Sequence, residues 1–348
     1  MKIPLNRRDL DFLGFPAVAS KLAVQHKRTR NTEWCTEFFP FLLVGSKNIL
    51  GVERDNIYFP SLTPHKAYAI ISVIKEERGS VMLNVVVVQP SYFMGDEPDA
   101  KIADFLIDEL KKAPNGSLVV LPEYSNAGGI SDVESERKAM PRAKKMLSEA
   151  AEIAKEKAAY VAINVLEERD GKIKNSTYLF DKTGEVAFIY DKIHLPQSEI
   201  KLGVEYGEGA CICDLDGIRF GFLTCYDVYF NEQIEYLSSQ KPDIILLPGY
   251  QRGEDVDIIR AQTRLIAFRC NAFLAKSSYS MNSDEKGGCS MIVSPDGKIL
   301  ADMGKKVGSV SIDIDVDFKY MRSAGFGGSF IRNDDFINEG LRPQIFNK

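Results

Sequence analysis

The run Val81-Met-Leu-Asn-Val-Val-Val-Val-Gln89 constrains this chain most tightly. Its four consecutive valines leave no polar face, which is the pattern of a strand covered on both sides rather than one with a wet face. A helix is expected next, over 98–113, where Ile102, Phe105, Leu106 and Leu110 share one face. Gly116-Ser-Leu-Val-Val-Leu reads as a second strand, ended by Pro122. A long amphipathic helix over 135–157, a strand from Ala159 and a hairpin turning at Asp181-Lys-Thr-Gly184 complete a first half. The second half repeats the rhythm. A strand runs from Ile218 into Cys225, and a helix follows from Asn231 to Ser239. Asp243-Ile-Ile-Leu-Leu-Pro is the next strand, followed by a helix over 255–269 and a strand from Ala272. A hairpin turns at Pro295-Asp-Gly297, and a last alternating strand begins at Val307. Two such halves, mixing crossover helices with hairpins, fit two sheets packed face to face with helices outside. No Gly-x-Gly-x-x-Gly opens a helix, so a simple dinucleotide-binding sheet fits less well.

Residues 1–80 read differently, with Phe12, Phe15, Trp34, Phe38, Phe39 and Phe41 scattered among charges and a single strand-like run from Ala67 to Ile74. They are expected to form an extension packing on the main domain (81–320) or on a partner subunit, and residues 321–348 a C-terminal arm. A formal net charge of -5 argues against a nucleic-acid or anionic-membrane surface, and the short basic run His26–Arg30 reads as a solvated face. Cys35, Cys211, Cys213, Cys225, Cys270 and Cys289 contain no Cys-x-x-Cys pair, and only three histidines occur. Neither a disulfide framework nor a zinc site is expected. The N-terminal residues lack the apolar run of a secretory signal, and no stretch has the length to span a bilayer, so a cytoplasmic setting is expected.

Three segments end strands in reactive residues. Glu123 follows Leu-Val-Val-Leu-Pro, Lys192 lies in Tyr-Asp-Lys-Ile-His-Leu-Pro, and Cys225 lies in Gly-Phe-Leu-Thr-Cys-Tyr-Asp. Taken singly, each has an ordinary alternative: a surface glutamate, a solvated lysine, a buried thiol. Together they supply a nucleophile, a proton acceptor and a fixed cation for a developing oxyanion. At a strand-to-helix turn, the N–H groups that follow Cys225, beginning with Tyr226, can face that oxyanion. Tyr124, Tyr226, Tyr229, Tyr250 and Arg252 lie on loops expected to rim the pocket. Arg252 is either a ligand for a substrate carboxylate or an ordinary surface residue. A Ser-His-Asp hydrolase is disfavoured because Gly-x-Ser-x-Gly is missing.

These segments resemble the nitrilase superfamily of carbon–nitrogen hydrolases over about residues 82–317. Lys192-Ile-His-Leu is similar to its Lys-x-His-Leu segment, and Cys225-Tyr-Asp with Phe230-x-Glu232 resembles its Cys-Tyr-Asp-x-x-Phe-x-Glu. Asn175-Ser-Thr and Gly288-Cys-Ser-Met-Ile-Val-Ser-Pro-Asp-Gly297 are supporting matches. The resemblance implies an α/β fold of the four-layer αββα sandwich type, usually a homodimer or higher homo-oligomer. It also implies an acyl-thioester intermediate, no cofactor and no metal. A second glutamate after the lysine is expected, with Glu199 the candidate and Glu205 and Glu208 its competitors. Arg269-Cys270 stands where the family has Glu-Asn, and Tyr229 where many branches carry arginine. The expected substrate is a small amide or N-carbamoyl (ureido) compound. A nitrile hydrolase and a soluble acyltransferase use the same residues, and a non-catalytic binding protein is the reading from another class.

Overall fold

The computed structural model describes residues 2–4, 41–44, 47–53, 56–58, 80–326, 328–342 and 345. They divide into two units, Met1–Val81 with Met321–Arg332, and Met82–Tyr320 with Asn333–Lys348. In the first, β1 (Lys2–Pro4), β2 (Phe41–Val44), β3 (Lys47–Glu53) and β4 (Asn56–Tyr58) form an antiparallel sheet in the order β1-β4-β3-β2. The strand expected from Ala67 and the aromatic residues before Phe41 lie outside the described residues.

The second unit holds two six-stranded sheets. One contains β5 (Met82–Gln89), β6 (Leu118–Val120), β7 (Tyr160–Arg169), β8 (Lys172–Phe180) and β9 (Val186–Asp191). The other contains β10 (Ile212–Leu215), β11 (Ile218–Phe222), β12 (Ile244–Pro248), β13 (Phe273–Ser277), β14 (Met291–Val293) and β15 (Ile299–Asp302). The strand β16 (Gly308–Asp315) returns to pair antiparallel with β5, giving the orders β16-β5-β6-β7-β8-β9 and β10-β11-β12-β13-β14-β15. Each sheet has three central parallel strands flanked by antiparallel ones. The two halves read in the sequence are therefore two copies of one strand pattern. β12 and β13 of one sheet lie against β5, β6 and β7 of the other.

The outer layers follow from the apolar stripes. α1 (Pro98–Lys112) starts with proline in its first turn, where a missing N–H costs nothing. It buries Ile102, Leu106 and Leu110 beside Val86, Val88, Val119 and Val161. The helix expected over 135–157 is two helices, α2 (Val133–Ala139) and α3 (Arg142–Lys157), because Pro141 cannot donate within a continuous helix. α4 (Gln197–Leu202), α5 (Asn231–Gln240) and α6 (Val256–Cys270) follow, with α6 packed on β13 and β14. The mixed α/β fold is thus an αββα sandwich. α4 and β10 carry too few periodic residues to be anticipated from sequence.

The expected arm divides. β17 (Met321–Ser323) and β18 (Phe330–Arg332) pair antiparallel in the first unit, whereas α7 (Asn333–Asn338) belongs to the second. There Asn333 Nδ2 donates to the Phe268 carbonyl (2.6 Å), and Asn271 Nδ2 donates to Asp334 (2.8 Å). Arg269, at the departure from the family pattern, pairs with Glu235 (2.8 Å), and Cys270 is fully buried. Among the described residues no helix is long and apolar enough to cross a membrane.

Candidate active site

The parallel strands of both sheets deliver their C-terminal ends to one region, where open α/β sheets place their ligands. At the end of β6 the chain turns sharply: Tyr124 has φ 56°, and its N–H donates to Asn164 Oδ1 (2.8 Å). The Tyr279 hydroxyl donates to the Glu123 carbonyl (2.8 Å) from across the sandwich. This bracing fixes the Glu123 side chain, which is 2% exposed.

Lys192 follows β9. Its N–H donates to the Asn175 carbonyl (2.9 Å), and its own carbonyl accepts from Gly207 (2.8 Å). Gly207 is required at this crossing because a Cβ there would stand 2.0 Å from the Asp191 carbonyl oxygen. Glu199 comes from α4, anchored where the Arg137 guanidinium donates to the Leu202 carbonyl (2.6 Å). Cys225 opens a 3-10 turn, Cys225–Tyr229, with φ 44°, a left-handed value that a side chain adopts only when its surroundings hold it there.

Asp227 supplies that hold. Buried completely, it accepts from the Thr224 N–H (2.8 Å), the Tyr190 hydroxyl (2.7 Å) and the His194 N–H (3.0 Å), and it lies 3.0 Å from His194 Nδ1. The His194 ring stacks on Phe230 at 3.8 Å, and its Nε2 is 3.3 Å from Glu232. The motif positions Asp227, Phe230 and Glu232 therefore clamp the segment bearing Lys192 to the turn bearing Cys225.

These elements bring four side chains together. Lys192 Nζ lies 2.8 Å from Glu123 Oε1 and 3.0 Å from Glu199 Oε1, with only 1% of its side chain exposed. Asn175 Nδ2 donates to the same two oxygens, both at 2.8 Å, while its Oδ1 accepts from Asn164 (2.7 Å). The Tyr124 hydroxyl also donates to Glu199 Oε1 (2.9 Å). The Cys225 thiol lies within electrostatic reach of Glu123 and Lys192, and the Tyr250 backbone N–H acts on its sulfur.

Burial alone would lower the pKa of the Lys192 ammonium, but Glu123 and Glu199 together push it up, so lysine stays charged. Burial, and then the nearby Glu123 charge, hold the Glu199 carboxyl above its usual range despite Lys192. Burial also pushes the Cys225 thiol well up, reinforced by Glu123 and opposed by Lys192 and the Tyr250 N–H. The resting thiol is therefore protonated, and its proton faces a carboxylate.

Of the three candidates for the second glutamate, Glu199 joins this cluster. Glu205 instead pairs with Lys172 (3.1 Å) at the surface, and Glu208 is exposed. Tyr226 lies at the start of the 3-10 turn, its ring against Tyr229 and Phe230. Tyr229 is 44% exposed, with its hydroxyl bonded to Glu254. Arg252 is half-buried. Its guanidinium lies over Tyr250 (4.6 Å) and Tyr92 (5.3 Å) and donates to the Tyr92 hydroxyl (2.7 Å), with no ion pair recorded among the described residues.

Sequence reasoning gave no role to Asn175, Asn164, Tyr279 or Glu136. Asn175 was visible only as part of a motif, and nothing local marks Glu136. Burial pushes the half-buried Glu136 carboxyl up to about 7, with Arg252 opposing and Glu199, Asp132 and Glu123 adding to the rise.

This sandwich is the fold of solved amidases and carbon-nitrogen hydrolases. The family model described as carbon-nitrogen hydrolase matches residues 84–325, and the chain belongs to that family, within the nitrilase superfamily. It is 27% identical over 230 residues to 2-oxoglutaramate amidase of Bacillus subtilis, covering 62% of this chain and 84% of that protein. It is 26% identical over 250 residues to omega-amidase NIT3 of Saccharomyces cerevisiae, covering 65% and 84%. The solved amidase from Nesterenkonia superposes with a TM-score of 0.61 at 19% identity, over 77% of this chain and 96% of that one. A related structure of that amidase carries the acetamide moiety of fluoroacetamide covalently on its active-site cysteine.

Proposed function

We propose that this enzyme hydrolyses the amide of a small carboxylate-bearing molecule through a thioester on Cys225. The observation that carries this reading is the fully buried Lys192 ammonium held between Glu123 and Glu199, with Glu123 facing the thiol. Glu123 accepts the thiol proton as sulfur attacks the amide carbon. The carbonyl electrons move to oxygen, where Lys192 and the Tyr226 N–H stabilise the negative charge; one such donor contributes about 3–4 kcal/mol to lowering a barrier. Glu123 passes the proton to the leaving nitrogen, which departs as ammonia or an amine when the carbonyl reforms. It then takes a proton from water, whose oxygen displaces the thiolate and releases the acid, and the proton passes from Glu123 back to sulfur. Glu199 Oε2, buried and without a hydrogen bond among the described residues, supports a contact in which it accepts an N–H from the amide.

Arg252 supports the carboxylate. It is two residues beyond the Tyr250 N–H at the sulfur, is oriented by two tyrosine rings, and has donors to spare. The relatives named for 2-oxoglutaramate and omega-amide hydrolysis fit that substrate class.

The test is ammonia release from a panel of ω-amides, N-carbamoyl amino acids and nitriles, by native protein and Cys225→Ala. Turnover of a carboxylate-bearing amide by native protein, lost in a folded Cys225→Ala, is expected. Undiminished turnover in that variant would refute the assignment. Preference for the carbamoyl or nitrile compounds would refute the substrate class alone. Hydroxylamine added as acceptor separates transfer from hydrolysis.

A further inference from the structure

Lys276 stands within β13, Phe-Leu-Ala-Lys-Ser, a strand in which every residue is buried and Lys276 itself is 0% exposed. A buried ammonium without a carboxylate or several good acceptors holds its charge less tightly than one in water. Among the described residues Lys276 has neither: its recorded hydrogen bond is a long one, 3.4 Å to the Gly288 carbonyl.

Its position gives this a use. Lys276 Nζ lies 3.5 Å, and Ser278 Oγ 3.7 Å, from the point where a Cβ on Gly249 would stand. Ser278 Oγ is buried and without a partner among the described residues. Gly249 directly precedes Tyr250, whose backbone N–H acts on the Cys225 sulfur. A cation and a hydroxyl thus lie against the segment whose next N–H acts on the nucleophile.

The surrounding charges show why a second cation matters. Glu123 and Glu199 carry two negative charges against the single positive charge of Lys192, and moving the thiol proton to Glu123 only passes one of them to sulfur, so one negative charge stays uncompensated. Lys276 makes the count two against two. The other groups facing it are Cys289, on the segment before β14, and Asp302 of β15, which is already engaged by Arg260 (2.8 Å).

We infer that Lys276 is a second cation of the acyl-transfer site, a positioning residue that favours the Cys225 thiolate and the oxyanion formed on its acyl group. This rests on Cys225 being the nucleophile. Burial lowers the Lys276 pKa to about 8, with Cys289, Cys225, Asp302 and Glu123 opposing. The charge is therefore present below that pH and lost above it.

The experiment uses the full chain, wild type and Lys276→Met, with two readouts. The first is iodoacetamide alkylation of Cys225 between pH 6 and 10, followed by peptide mass. The second is the pH profile of kcat/KM for an amide. Lys276→Met should alkylate about tenfold more slowly at pH 7, the size expected for loss of one nearby opposite charge. Wild-type kcat/KM should fall as pH rises through about 8, and the variant should show a lower plateau without that limb. A wild-type alkylation profile in the variant overturns the inference. So does a flat wild-type kcat/KM from pH 7 to 9, which needs no variant to fold. Alkylation that depends on Lys276 in a protein with no amide turnover would leave the inference standing and remove the hydrolase reading.

Discussion

Replacing Lys192 by methionine tests the cluster's electrostatics directly. Attraction between unit charges 2.8–3.0 Å apart is about 6 kcal/mol per contact at an effective dielectric of about 20. Desolvation of three nearly inaccessible ions offsets most of this, so the native triad contributes little net stability. Removing the cation is different, because two carboxylates are left to share Asn175 with no positive charge between them. Breaking a buried pair this way costs about 3–5 kcal/mol. One carboxyl, already raised in Glu199, then rises further. An acid whose folded pKa exceeds its unfolded one binds more protons when folded, so the variant loses stability as pH rises through that pKa. Urea unfolding should therefore show Lys192→Met about 3–5 kcal/mol less stable at pH 7 and closer to wild type at pH 5. The double variant Lys192→Met/Glu199→Gln should recover part of the loss at pH 7. A deficit below about 1 kcal/mol at pH 7, the range of an ordinary exposed pair, would refute the buried-triad reasoning. So would a deficit that does not change between the two pH values.

Three other expectations concern different residues. Arg252→Met should raise KM for a carboxylate-bearing amide about 10- to 100-fold while kcat changes little, the cost of about 1.5–3 kcal/mol for a charged hydrogen bond. In the wild type that KM should rise with pH through about 7 as Glu136 gains its negative charge beside Arg252, and Glu136→Gln should flatten the profile. Gly207→Ala puts a methyl group against the Asp191 backbone and should cost about 1–3 kcal/mol of stability, with turnover falling as Lys192 is displaced; urea unfolding and ammonia release check both.

The sandwich was legible because its central strands are uniformly apolar and its crossover helices carry clear stripes. The valines of β5 and the face Ile102, Leu106, Leu110 fixed both periods. Glu123, Lys192 and Cys225 were found because each interrupts or ends such a strand, where an ionisable group has few cheap alternatives. The single helix expected over 135–157 failed at Pro141, since the apolar period continues across a break that only backbone chemistry imposes. Asn175, Asn164 and Glu136 were not anticipated because their significance lies in what they face, and those partners come from distant parts of the chain. Lys276 could have been noticed: a cation inside an apolar five-residue strand is itself a signal.

Asp227 has a consequence for how this site changes and how it does not. One carboxylate grips both the bend that presents sulfur and the segment that presents ammonium. Neither the Cys225 sulfur nor the Lys192 ammonium can drift without dragging the other, so the distance between them is set by buried scaffolding. The loop carrying Arg252 and the helix α2 carrying Glu136 lie outside that grip, and can exchange residues while the geometry of the cluster beneath stays as it is.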